Sequence, residues 1–591
     1  MVNELTRRQA VILTAAAAAA SAVDIRHASA EGSKVAETIF HNGTILTMVD
    51  ATPRVAAIAV GDGRILASGD EASVMALKGD TTTLVDLKGA TLLPSFIDAH
   101  GHFMNAPQIL GWVNVQGVPA GPVQAIPDVI AALDAYKAKN SPKPGDWIIG
   151  YGYDMTNLAE GRDMTRGDLD PNFPDNPVML IHSSNHGCVL NSAGFKAVGM
   201  DASTKTPPGG LILREPGSNE PAGLIMETAF LPIFAKMPQP SENEMLARLD
   251  AAQQIYAMKG VTTCQEGATH VGDLDFLRKG AEKGLLYLDI VSLPLFVEVP
   301  KMVTEYFPSF SAAGGAVPLE AASAFGIYKN RLKLGGIKFA CDGSPQGKTA
   351  FWSKPLLTPG PAGEANWRGQ PLFPPELINK AVAEAVSKNI PVFAHCNGDA
   401  AIDMMIDALR LAGVKAEQDR RSVIVHSQFM RPDQLDAYVE LGITPSYFTA
   451  HTFFWGDIHL ENLGQERAFF LSPMKSAQSK AIRFSNHNDF SVTPLEPMRM
   501  VQTAMDRLSR KGVVIGPDER VDVWTALKAL TIEAAFQIRE EKEKGTLEPG
   551  KLADLVILAT DPTMADVEKI SAIEVVETFK EGKSVYKKKA A

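Results

Sequence analysis

At 591 residues the chain is too long for a single hydrophobic core, so two or three structural units are expected. Apolar residues make up 45% and charged residues 21%, the balance of an ordinary globular protein. A formal charge of −11, with no sustained basic run outside Lys587-Lys588-Lys589, argues against a nucleic-acid partner.

The first thirty residues read as an address. Thr6-Arg7-Arg8-Gln9 precedes an Ala-rich apolar stretch, and Ala28-Ser29-Ala30 offers a small-residue cleavage site. Residues 1–30 are therefore expected to be a twin-arginine-like export signal, and the mature chain to be periplasmic or secreted. The apolar run is short and broken by Asp24 and Arg26, which does not suit a stable membrane anchor. Residues 31–90 alternate short apolar runs with turns, and Asp62-Gly63 between two such runs is a hairpin signal. Residues 541–591 repeat that texture, so both chain ends are predicted to join in one small β-sandwich. Cys188, Cys264, Cys341 and Cys396 lie far apart with no CxxC pair and read as free thiols.

The apolar run from Thr91 to His102 reads as a buried strand whose alternation points His100 and His102 the same way. Two imidazoles so placed can share one cation, and Zn²⁺ suits them. Seven further apolar strands follow, near residues 260–265, 286–293, 334–340, 390–395, 422–426, 442–447 and 482–485. Helical patterns lie between most of them; one is Pro375–Lys388, with Leu377, Ile378, Ala381, Val382 and Ala385 on one face. The prediction is an α/β fold: a TIM-like (β/α)8 barrel over 91–540, with chemistry at the C-terminal strand ends. A long insertion after the first strand, 103–244, is expected to form a subdomain.

Polar residues recur where that architecture puts chemistry. His100 and His102 end the first strand, Lys338 lies inside the fourth, His395 and His426 end the fifth and sixth, and Asp489 follows the eighth. A lysine between Ile337 and Phe339 in a buried strand is costly unless modified or paired.

Several motifs then resemble the amidohydrolase superfamily, in the amidohydrolase 3 subgroup that includes N-substituted formamide deformylases. They are Phe96-Ile-Asp-Ala-His-Gly-His102, Gly336-Ile-Lys-Phe-Ala-Cys-Asp-Gly343, Ala394-His-Cys-Asn-Gly-Asp399, Val425-His426, Asp489 with Val492-Thr-Pro494, and Gly545-Thr-Leu-Glu-Pro-Gly-Lys-Leu-Ala-Asp-Leu555. The resemblance implies one divalent metal, Zn²⁺ by preference, on His100, His102 and Asp489, and another on His395 and His426. A carbamylated Lys338 would bridge them, and a single-ion site stays open. Two departures stand out: Ser95 replaces a usual glycine, and Asn486-His-Asn-Asp-Phe-Ser491 replaces the usual Gly-Ser-Asp-x-Pro.

These ligands imply hydrolysis of a C–N bond in an amide, N-acyl amine or N-formyl amine by metal-activated water, with Asp489 as general base and acid. The resemblance also puts His186 and Glu227 of the insertion near the substrate. His451 and Trp455, in an aromatic-rich segment past the seventh strand, suit an apolar or aromatic small-molecule substrate. Asp399 is expected either to orient a ligand or to cap a helix. A deaminase or cyclic-amide hydrolase on the same scaffold remains an alternative, although no HxxE follows His395. A non-catalytic periplasmic binding protein would lack a ligand, and a homodimer stays open.

Overall fold

The computed structural model describes residues 35–589 apart from 235, 238–239, 301 and 303–324, so the expected export signal lies outside the described residues. Among the described residues no helix is long and apolar enough to cross a membrane.

Among the described residues, eight parallel strands occupy the centre of a mixed α/β fold. They are β1 (Phe96–Ile97), β2 (Val261–Thr269), β3 (Asp289–Pro294), β4 (Ile337–Ala340), β5 (Val392–Cys396), β6 (Val423–His426), β7 (Thr444–Tyr447) and β8 (Ser485–Asn486). One sheet holds β1–β3 with the Leu332–Leu334 strand that leads into β4, and a second holds β4–β8. Two seams connect the sheets. At one, the Phe296 amide donates to Lys338 O (2.9 Å); at the other, the His102 amide donates to Phe490 O (2.7 Å) and the Asp489 amide to His100 O (3.1 Å). Several strands are short, apolar and β-branched, as Val-Ile-Val-His in β6 illustrates, and every residue of β6 is buried. Helices pack outside them. Pro375–Ser387 buries Ile378, Val382, Ala385 and Val386. Leu377, grouped with that face from sequence, is 42% exposed instead.

The Thr91–His102 stretch is not one strand. Thr91–Pro94 pairs antiparallel with Leu555–Leu558, in a six-stranded sheet that both chain ends build. The ladder changes partner just past Pro94, which has no N–H to offer: the Ser95 amide donates to Asp554 O and the Phe96 amide to Gly260 O. Residues 98–101 then run outside any strand. The eighth strand is likewise shorter than its apolar pattern and begins only at Ser485.

The six-stranded end sheet packs on a four-stranded one. Phe40, Ile58 and Val60 meet Ile45, Leu92, Leu555 and Phe579 in a shared core. Asp62-Gly63 makes the expected tight hairpin, both residues at positive φ (+52° and +70°). Within the insertion, strands between Val113 and Glu227 form a separate six-stranded sheet with an apolar cluster on each face, one around Phe173 and Leu180 and the other around Phe195 and Ile225. The four cysteines are buried and free.

A buried ionic knot ties the start of β3 to the C-terminal strands. Asp289 Oδ2 lies 2.5 Å from Lys544 Nζ and 2.6 Å from Lys580 Nζ. Lys580 also meets Asp554 (2.7 Å), Lys544 meets Glu540 (2.7 Å), and Lys333 pairs with Glu540.

Candidate metal centre

The parallel register sets the site. His395 of β5 lies opposite Val425, and Cys396 opposite His426, so the two imidazoles emerge one step apart on neighbouring strands. His426 Nε2 lies 3.0 Å from His395 Nδ1. Lys338, two residues below the position in β4 that pairs with His395, reaches His100 Nε2 (3.1 Å). Asp489 stands between the groups: Oδ1 is 3.4 Å from His102 Nε2 and 3.8 Å from His100 Nε2, while Oδ2 is 3.9 Å from His426 Nε2. All six expected side chains therefore converge. His426 and Asp489 adopt positive φ (+69° and +52°), a conformation non-glycine residues rarely take, and their backbones hold it where the chain leaves β6 and β8.

The convergence fits a divalent cation. Asp489 Oδ1 is buried without a hydrogen bond, and the donors are imidazole nitrogens and a carboxylate, the set that borderline metals prefer. Electrostatics agree for three of the four imidazoles. Burial, then neighbouring positive groups, pushes His100, His395 and His426 well below the ordinary imidazole range and favours the neutral form that ligates. For His102 burial acts the same way, but the Asp489 and Glu266 carboxylates beside it outweigh burial and hold the ring up at about 9, so a metal would displace its proton. Burial likewise raises Asp489, yet His102 wins and keeps it a carboxylate. Lys338 is pushed down to about 8 by burial, bringing the free amine within reach of neutral pH.

The remaining expected residues divide. His186 packs at a tilt against His395 with ring centroids 5.3 Å apart, and its Nδ1 lies 2.9 Å from Glu227 Oε2. Glu227 Oε1 is buried without a hydrogen bond. His451 and Trp455 stand one ring back from the centre. Phe448 separates them from it, packing against His451 (4.7 Å) on one side and His487 (5.0 Å) on the other. The Trp455 indole donates to Asp154 Oδ2 (2.7 Å), and His451 Nδ1 meets His459 Nε2 (3.0 Å). Asp399 neither touches His395 nor caps its helix. Gly398 is the cap, and the Asp399 carboxylate accepts from Ser353 N (2.9 Å) and Arg431 (3.2 Å).

Four residues at the centre have no counterpart among the sequence candidates. Glu266, in the second half of β2, accepts from the Met104 amide (2.7 Å) and lies 3.8 Å from His102 Nδ1. Asp342 accepts three backbone amides, from Asn397, Gly398 and Phe351, and lies 3.5 Å from His395 Nε2. His487 meets His426. Gly267 leaves room for His100. The signal for Glu266 is a carboxylate in the second half of a buried strand, where an unpaired charge is costly.

A β-carbon on Gly267 would lie 2.2 Å from His100 Cε1 and 2.6 Å from its Nδ1. Gly267→Ala is therefore expected to turn His100 and weaken metal binding by about tenfold or more, the scale typical of outer-shell changes. Chelator competition on the purified variant measures this; unchanged affinity would contradict the packing.

The family model described as the amidohydrolase family matches residues 83–586. Protein LONG AFTER FAR-RED 3 of Arabidopsis thaliana is 29% identical over 559 residues, covering 93% of this chain and 92% of that protein. The N-substituted formamide deformylase of Arthrobacter pascens is 26% identical over 545 residues, covering 92% and 96%. Among solved structures, an uncharacterized metal-dependent hydrolase from Pyrococcus horikoshii superposes with a TM-score of 0.68 at 23% identity, covering 90% of this chain and 99% of that one.

Proposed function

Since this chain belongs to the amidohydrolase family and is an enzyme acting on carbon–nitrogen bonds, we propose that it hydrolyses N-acyl or N-formyl amines with divalent metal at the histidine centre. The observation that carries this reading is Asp489, whose Oδ1 faces His100 and His102 while its Oδ2 faces His426. In this reading the eight strands close into a (β/α)8 barrel, flanked by a β-sandwich from both chain ends and the insertion subdomain. Hydrogen bonds across both seams support closure.

His100, His102 and Asp489 would hold one ion, His395 and His426 a second, with Lys338 between them. A neutral Lys338 amine can add to CO₂, giving a carbamate and releasing a proton, and the carbamate would bridge the positions. Zn²⁺ is the proposed metal because the donors are mainly imidazole. A bound divalent ion lowers the pKa of water and polarises the scissile carbonyl. Asp489 takes the water's proton and returns it to the leaving nitrogen. His186, steadied by Glu227, faces the substrate beside His395, while His451 and Trp455 shape a more distant apolar wall. The deformylase among the relatives supports a formyl or small acyl group. Export through the Thr6-Arg7-Arg8-Gln9 leader is part of the same proposal.

Metal analysis of the purified protein, with a panel of N-formyl, N-acetyl and N-aroyl amines, tests the reading. Full activity after exhaustive chelation would refute it. Lys338→Ala is expected to lose metal and most of its activity, and short carboxylic acids to restore part of the rate. Absence of rescue would remove the carbamate.

A further inference from the structure

A hydrogen-bonded chain runs through the interior from the backbone beside His100 to His426. Gln537 Nε2 lies 2.7 Å from Ala99 O, and Gln537 Oε1 meets the Ser485 hydroxyl. Ser485 Oγ and Ser446 Oγ, paired across β8 and β7, are 2.9 Å apart. Ser446 Oγ lies 2.9 Å from His487 Nδ1, and His487 Nε2 lies 3.1 Å from His426 Nδ1. Gln537, Ser485, Ser446, His487 and His426 are all at most 2% exposed.

The protons in this chain have one consistent order. A carbonyl oxygen only accepts, so the Gln537 atom facing Ala99 must be its amide nitrogen. Its Oε1 then faces Ser485 and takes that hydroxyl's single proton. The proton between the two serines is therefore Ser446's. With its proton spent, Ser446 can only accept, and His487 donates from Nδ1. A neutral imidazole carries one N–H, which leaves His487 Nε2 as a lone pair for His426 Nδ1–H. His426 Nε2 is left bare, aimed at His395 Nδ1 and Asp489.

We propose that His487 is a positioning residue that fixes the tautomer of His426 through this chain, with Gln537 as its anchor, and is not itself a metal ligand. The proposal rests on the metal-centre reading above and adds to it. Distance alone would allow the alternative, because His426, His487 and Asp489 offer ligand atoms within 4.8 Å of one another. Bond direction decides against it: a lone pair already filled by an N–H cannot also bind an ion. The residue also accounts for the unusual Asn486-His-Asn-Asp489 segment, since His487 is the imidazole that segment carries inward.

The test uses zinc-loaded, ¹⁵N-histidine-labelled full-length protein, with resonances assigned through single variants. The expected spectrum has His426 and His487 both protonated at Nδ1, with zinc on His426 Nε2 and none on His487. A protonated His487 Nε2, or zinc bound to His487, overturns the proposal.

Chelator competition supplies the second readout. His487→Phe keeps the ring's bulk but removes the acceptor, and zinc affinity is expected to fall about 10- to 100-fold. His487→Gln, whose Oε1 can replace Nε2, is expected to stay within a few-fold of wild type. Equal losses in both variants, or none in His487→Phe, overturn the proposal. His100→Ala separates the two levels of the argument. If it binds zinc like wild type, the centre itself is misassigned. If it loses zinc while His487→Phe does not, only the role of His487 falls.

Discussion

Asp489→Asn is expected to lower kcat by about 10²- to 10⁴-fold, the usual contribution of a positioned general base. The substitution keeps the side chain's shape and removes its charge and basicity. It acts on a residue whose location is unusually constrained. The Asp489 amide donates to His100 O, its φ is +52°, and its two oxygens look towards different histidines. An asparagine can retain part of the metal but cannot take a proton from water. Steady-state kinetics beside metal analysis distinguish the effects: a variant that keeps its metal and loses rate identifies the base. A variant at wild-type rate would remove Asp489 from the chemistry.

Asp289→Asn is expected to cost about 3–5 kcal/mol of stability, the scale for breaking a buried ion pair by deleting one partner. Lys544 and Lys580 both point at this carboxylate and would be left buried with less compensation. Urea unfolding should show the midpoint falling with an unchanged slope. The pH dependence has a definite sign. Burial alone would raise the Asp289 pKa, but the two ammonium groups outweigh it and hold the carboxyl below its ordinary value. A depressed carboxyl stabilises the fold above its unfolded pKa, about 3.9, and that contribution is lost as pH falls below this value. Wild type should therefore lose stability steeply below about pH 4, and Asp289→Asn should show a shallower acid limb. Parallel acid limbs would mean that Asp289 is not the group responsible.

The strand order and the six converging side chains were legible because buried parallel strands are continuous apolar runs, and polar residues at their C-terminal ends stand out against them. The first strand misled for a physical reason. Thr91–Pro94 and Phe96–Ile97 are both apolar and buried, and nothing in their composition shows that the chain changes sheets between them. His100 and His102 reach the centre from irregular backbone, so strand alternation was the wrong reason for a correct grouping. Glu266 and His487 escaped because their importance lies in their partners. One lies near His102 and the other hydrogen-bonds to His426, relations that exist only after folding. Trp455 and His451 carried an aromatic signal that was real, but Phe448 fills the space in front of them.

The antiparallel pairing of Thr91 with Leu558 sets a timetable for assembly. A chain still emerging from the ribosome holds every histidine of the centre before it holds Leu555–Leu558 or Lys580, so the floor beneath β3 is completed last. Loop-closure entropy makes such distant pairings slow to form. Until then Asp289 lacks its Lys580 partner and the end sheet exposes an open edge of the sort that invites aggregation. Removing the last few dozen residues would leave all the proposed ligands in the sequence yet produce a protein that cannot finish folding around them.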